Sequence, residues 1–239
     1  MGPSKRPQAL SLPRQFSIAA RWPLGIGLTS WRYMWRITPL RRREVAGSPA
    51  DSPVPALAPG LSSEGMQGLD RGVGPLFHRR YRTRMQGARM SPEELIDRIS
   101  GEPNLVAPTE FARFIKLSGD ERRMAVGDEL IVRMPGPWDG PVRVVDRSAA
   151  SFRFVTLAGH LEAGQIEFRA YDDGGLVFEI ESWARSGDRL SSLLFNKLRM
   201  AKEVQLHMWT SVLERAVRLA QGRRDGSVII ETRRIDVDG

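Results

Sequence analysis

Between residues 75 and 183 the apolar positions recur mostly every second residue. From about residue 188 they recur every three or four. The first period belongs to strands with two unlike faces, the second to an amphipathic helix. Residues 75–85, PLFHRRYRTRM, set Phe77, Arg79 and Tyr81 against His78, Arg80 and Arg82, which predicts a first strand with one face wet. Ser91-Pro92-Glu93-Glu94 then opens a helix. Ser91 is the N-cap, Pro92 takes the first helical position and Glu94 closes a capping box. Leu95, Ile96 and Ile99 form its apolar stripe, and Gly101 ends it.

Six further strands are expected at 111–117, 130–134, 142–145, 151–157, 165–171 and 176–183. Turn residues punctuate them at 118–120, 135–140 and 172–175. From Asp188 to Gln221 there is neither Gly nor Pro, and Leu190, Leu194, Leu198, Ala201, Met208, Val212 and Leu219 make one stripe. This predicts a single long helix of about 50 Å, capped by Asp188 and stopped by Gly222. A tail strand, 227–235, closes the chain. The expected class is α+β, a curved antiparallel sheet wrapped on a long C-terminal helix. Such an arrangement holds hydrophobic ligands in the space between sheet and helix.

Charge changes the picture only at the front. The net charge of +8 over 239 residues is unevenly spread. Residues 1–43 contain nine basic residues and no acid, 44–70 contain four acids and no base, and 71–90 contain six arginines and no acid. Residues 1–43 are read as a basic aromatic arm. Residues 44–70, rich in Pro, Ser, Gly and Ala, are read as a linker or long surface excursion, and 71–239 as the main domain. The arm's tract 16–38 is broken by Pro23 and by Arg21, Arg32 and Arg36, so it suits neither a spanning helix nor a signal peptide. The expected location is the cytoplasm. An anionic membrane surface is a candidate partner for residues 16–43, through a short helix bearing Trp31, Met34 and Trp35. Nucleic acid is not favoured. Only Lys5, Lys116, Lys197 and Lys202 are lysines; an arginine bias of this kind also follows from a GC-rich coding sequence, so basicity alone names no partner.

The chain has no cysteine and three well-separated histidines, His78, His160 and His207. No metal site and no cofactor is therefore expected. Glu203 and His207 lie one helical turn apart but lack the second histidine of HExxH. There is no nucleophile elbow, phosphate-binding loop or dinucleotide fingerprint.

The sharpest local feature is Gly159-His160-Leu161-Glu162-Ala163-Gly164, with His160 and Glu162 between two glycines. A histidine beside a carboxylate suits acid and base work. The same residues also suit a turn held by the imidazole and opened by the glycines. Gln165, Glu167, Glu179 and Glu181 share one strand period, and Arg133, Arg143, Arg153 and Arg169 lie on neighbouring strands. The alternation favours cross-strand ion pairs on a solvated face. Trp138 and Trp183 stand at strand ends, where large side chains rim a cavity mouth or pack under a turn. The ligand-binding candidates are Trp138, His160, Glu162, Gln165, Trp183 and Met208, and His160 and Glu162 are the catalytic candidates.

The segments 127–136, Thr156–Gly164 (TLAGHLEAG) and Ile180–Ser186 resemble an uncharacterised bacterial and plant family known as a domain of unknown function. Its pattern is TLxGHxExGE, followed by a strand and an SRP turn. Here Gln165 replaces the last acid, and Arg185-Ser186-Gly187 stands in place of SRP. LTSWRYMWR and FHRRY resemble a long actinobacterial branch of it. The family is similar in predicted shape to the START-like helix-grip superfamily of polyketide cyclases and lipid-transfer domains. The resemblance implies a helix-grip fold and transfers no activity. The leading expectation is a non-enzymatic module for a small hydrophobic molecule or lipid. The alternative is a cyclase- or hydrolase-type enzyme using His160 and Glu162, and a third is a membrane or nucleic-acid partner acting through the arm.

Overall fold

The structure, a computed structural model, describes residues 40–109, 112–120, 123–134, 139–187 and 199–236, with backbone only at 199–204. The arm up to residue 39, Trp138 and the expected helix start at Asp188 lie outside the described residues.

The fold is α+β: one nine-stranded curved sheet with a long C-terminal helix. The strands are β1 (Leu40–Ala46), β2 (Val73–Gln86), β3 (Arg113–Lys116), β4 (Glu129–Arg133), β5 (Asp139–Arg147), β6 (Ser151–Thr156), β7 (Glu162–Asp172), β8 (Leu176–Ser186) and β9 (Arg223–Ile235). Among the described residues the α-helices are α1 (Pro92–Gly101) and α2 (Arg199–Leu219). The sheet order is β1-β9-β2-β8-β7-β6-β5-β4-β3. Every neighbouring pair is antiparallel except β1 with β9. Composition at 40–46, LRRREVA, does not announce a strand. β1 forms because β9 offers it an edge.

The capping signals act as the sequence implies. The Glu94 N–H donates to Ser91 Oγ at 3.2 Å, and the Ser91 N–H donates to the Glu94 carboxylate at 2.8 Å. Leu95, Ile96 and Ile99 of α1 are fully buried. Ser91→Ala is expected to cost about 1 kcal/mol, read as a lowered urea midpoint with unchanged slope.

α2 ends differently from the expectation. Gln221 takes the left-handed conformation, φ +54°, and the Gly222 N–H closes onto the Val217 carbonyl at 3.1 Å. Gly222 is needed for space instead, since a Cβ there would press to 3.3 Å on the Met85 side chain.

Alternate residues of the central strands turn inward, where α2 lies against β2, β8 and β9 and α1 against β6 and β7. Tyr81, Met85, Phe152, Phe154, Phe168, Phe178 and Ile180 pack with Leu206, Trp209 and Leu213 of the helix in one cluster. Phe152 stacks on Phe168 at 4.9 Å, and Phe168 meets Trp209 edge-on at 5.7 Å. Each such side chain contributes roughly 1.5–3 kcal/mol by leaving water.

The outer face holds charged residues, and several of them are not solvated. Glu179, Glu181, Arg153 and His78 are each less than 7% exposed. The cover is the Pro- and Ser-rich segment after β1. Arg233 donates to the Asp51 carbonyl, Gln165 to Pro55 at 3.3 Å, and Arg153 to Ala56 at 3.0 Å. Arg143 donates to the carbonyls of Ser62 and Glu64, and Met66 pairs with Leu157. The segment thus crosses the sheet from β9 to β5. Of the expected cross-strand pairs, those of Arg169 with Glu167, Glu179 and Glu181 form. Arg133 pairs instead with Asp139, Arg143 with Glu129 and Arg153 with Asp146, and Glu181 also takes Arg80. Alternation along a strand reports which face a residue takes. It says nothing of whether another segment later covers that face.

Candidate functional site

Arg79, Tyr81 and Thr83 share the inward face of β2, because Tyr81 and Met85 of that period enter the core. Arg79 lies opposite Ser182 of β8, and Ser182 lies opposite Ile166 of β7. Glu162, at the start of β7, belongs to the inward period of Ile166 and Phe168. These positions converge near the N-terminal part of α2. Gln205 Nε2 lies 3.3 and 3.4 Å from the two Glu162 carboxylate oxygens, and Arg79 Nη1 lies 3.7 Å from Glu162 Oε1. The Arg79 guanidinium also sits 4.6 Å from the centre of the Phe77 ring.

Burial sets the protonation of this group. It raises the Glu162 carboxyl above its ordinary range, against the opposing pull of the Arg79 charge and the Gln205 hydrogen bond. It also pushes the Tyr81 phenol up to about 12.

His160 occupies the loop just before Glu162. His160 Nδ1 lies 2.9 Å from the Glu162 backbone nitrogen and 3.1 Å from the Glu162 carbonyl oxygen, accepting from the first or donating to the second according to the tautomer. The ring lies over Gly140 of β5, where a Cβ would come within 3.1 Å of Nε2. Burial lowers its pKa to about 4, so the imidazole is neutral at pH 7. The Gln67 side chain fastens the same loop by donating to the carbonyls of His160 and Glu162 at 2.8 and 3.0 Å. His160 therefore braces the loop that presents Glu162.

The structure brings together two of the six ligand-binding candidates, His160 and Glu162. Met208 is half-buried on α2 against the main core. Gln165 and Trp183 point the other way, on the outer face. Gln165 bonds the covering segment, and Trp183 packs with Leu76 and Ile235 and stacks on His78 at 5.2 Å. The odd-numbered period of β7 and β8 puts both away from α2, so neither rims the space beneath the helix. Arg79, Ser182 and Gln205 were not singled out from sequence. The available signal was an arginine between Phe77 and Tyr81 on a strand face otherwise suited to a core.

Five buried side-chain atoms on this side have no hydrogen-bond partner among the described residues: Arg79 Nη1, Thr83 Oγ1 and Ser182 Oγ on the sheet, and Trp209 Nε1 and Thr210 Oγ1 on α2; three more, Arg153 Nε, Gln165 Oε1 and Trp183 Nε1, lie on the outer face. Among the described residues no cluster of three or more His, Asp or Glu could hold a metal ion. No helix among them is long and apolar enough to cross a membrane.

The signature TLAGHLEAG thus spans the β6–β7 connection that carries His160 and Glu162. Residues 110–221 match the family model of DUF1990, a domain of unknown function. The DUF1990 match takes in β3 to β8 and α2, and leaves out β2, which supplies Arg79. No curated protein is significantly similar in sequence. Among solved structures, norcoclaurine synthase from Thalictrum flavum, in complex with dopamine and hydroxybenzaldehyde, is 12% identical with a TM-score of 0.41; the alignment covers 68% of this chain and 98% of that one. The di-domain ARO/CYC protein StfQ from the steffimycin biosynthetic pathway is 13% identical with a TM-score of 0.43, covering 62% of this chain and 51% of its own. A protein from Chromobacterium violaceum is 13% identical with a TM-score of 0.42, covering 61% and 96%.

Proposed function

We propose that the protein binds a small, largely apolar molecule between the inner face of the sheet and α2, without transforming it. The observation that supports this reading is the set of five unpartnered polar atoms set among aromatic side chains on that side. A buried donor or hydroxyl left unpaired costs roughly 1–3 kcal/mol. Native interiors hold few of them. Several on one side of the molecule suit a site whose polar partners arrive with a ligand. The aromatic residues around them, Tyr81, Phe168 and Trp209, suit an apolar body.

A hydrolase- or cyclase-type reading has less support. His160 has its Nδ1 engaged by the backbone and stays neutral well below pH 7, so it is a poor proton acceptor. Glu162 alone would have to act as the base.

The test is native mass spectrometry of the purified chain with a panel of fatty acids, fatty alcohols and isoprenoids, followed by recovery of the unchanged molecule. Retained mass is the expected result, weakened by Trp209→Ala, which removes the indole from the aromatic wall. No retained mass from any member would overturn binding. Recovery of a chemically altered molecule would overturn the non-enzymatic part.

A further inference from the structure

The inner-face polar group also indicates what kind of polar atom the ligand carries, given the binding reading above. Arg79 is 5% exposed and stands one strand from Ser182. Its Nη1 lies 3.7 Å from Glu162 Oε1, too far for a hydrogen bond. Nη1 has no acceptor and Ser182 Oγ has no partner among the described residues. Both Glu162 oxygens face Gln205 Nε2, and a carboxylate has about four acceptor sites, so capacity remains.

We propose that a hydroxyl group of an otherwise apolar ligand bridges Arg79 Nη1 and Glu162 Oε1 from beside the pair. A hydroxyl oxygen accepts from Nη1 and donates its proton to Oε1, so one atom gives Nη1 its acceptor and uses the spare capacity of Glu162. Ser182 stands beside Arg79 and adds a second donor. An ether or ester oxygen accepts but cannot donate to Glu162. A carboxylate would place a second negative charge beside Glu162, where one arginine already balances one acid. Burying that extra charge is costly. Phe77 and Tyr81 flank Arg79 on β2, and Ile166 flanks Ser182 on β7, so the surroundings suit an apolar chain or ring. Glu162, 19% exposed at its side chain, is the more accessible member of the pair.

Calorimetric titration of the full chain with dodecanol, dodecyl methyl ether and dodecanoate tests this. Dodecanol should bind about tenfold tighter than either of the others, the worth of one well-made hydrogen bond. Glu162→Gln removes the negative charge and leaves Arg79 uncompensated. It should bring dodecanoate to within about threefold of dodecanol, or reverse their order. This change of preference distinguishes a contact with the ligand from a merely structural role, which would weaken all three alike. Arg79→Met should lose the preference for dodecanol; should that variant not fold, the glutamine variant decides alone. Equal binding of alcohol and ether, a wild-type preference for dodecanoate, or an alcohol-to-carboxylate ratio unchanged in Glu162→Gln would overturn the assignment while leaving apolar binding intact. Binding of none of the three would overturn both the assignment and the reading beneath it.

Discussion

Replacing Glu181 with glutamine is expected to cost about 3 kcal/mol at pH 7 and to flatten the acid limb of the stability curve. Glu181 is 2% exposed. It joins His78 Nε2 and Arg80 Nε, each at 2.6 Å, and Arg169 at 2.7 Å. Burial by itself would raise its pKa. The hydrogen bonds from His78 and Arg80 and the charge of Arg169 outweigh burial and hold the carboxyl at about 2, against an ordinary 4.5. A depressed carboxyl stabilises the folded chain fully above its unfolded pKa, and the contribution fades as pH falls through 4.5 towards 2. That difference corresponds to about 3 kcal/mol. Glutamine keeps the shape but leaves the cations under the covering segment without their balancing charge. Urea denaturation from neutral pH down to pH 2 checks it. Parallel acid limbs for the two proteins would show that Glu181 is not the group whose protonation matters.

Gly164→Ala is expected to destabilise by about 3 kcal/mol or more, with most of the protein lost to the insoluble fraction. Gly164 has φ +155°, and a Cβ built there would lie 2.0 Å from the Trp183 carbonyl oxygen and 2.9 Å from the Ala184 Cα. Both belong to the backbone of β8, paired with β7 at this position, so neither can move without opening the ladder. The Gly164 N–H is itself shared between the Gln67 carbonyl at 3.0 Å and Thr156 Oγ1 at 3.0 Å. Gly174 makes the control. It sits in the β7–β8 turn at φ +64° with nothing within 4 Å, and asparagine tolerates that conformation. Gly174→Asn should change the melting temperature by only a few degrees. A mild Gly164→Ala variant would mean that the two strands do not approach this closely.

The legible parts of the fold are those written in contiguous residues. The capping box at Ser91–Glu94, the two-residue alternation through β6, β7 and β8, and the three-to-four spacing on α2 depend on neighbours within a turn or a strand. The signature around His160 was legible as well, and its two readings differed in what the imidazole does. Geometry supports the brace: Nδ1 is held by the Glu162 backbone, and the ring rests on Gly140. Arg79 was harder to see. In sequence it is one of four arginines on a strand with a wet face; in the structure it alone of them enters the inner side, beside Ser182 from a strand about a hundred residues away.

Sequence by itself determined the class of the fold, the order of most strands, the long helix and the loop that carries His160 and Glu162, because hydrophobic period and turn chemistry act over a few residues. Tertiary structure alone decided that 40–46 is a strand, since that strand exists by pairing with β9 at the far end of the chain. It decided that His78, Arg153, Glu179 and Glu181 of the outer face are buried, because a segment whose composition reads as a linker crosses over them. It also brought Arg79, Ser182, Glu162 and Gln205 to one place. Burial and juxtaposition depend on elements far apart in the chain, and no local pattern of residues encodes them.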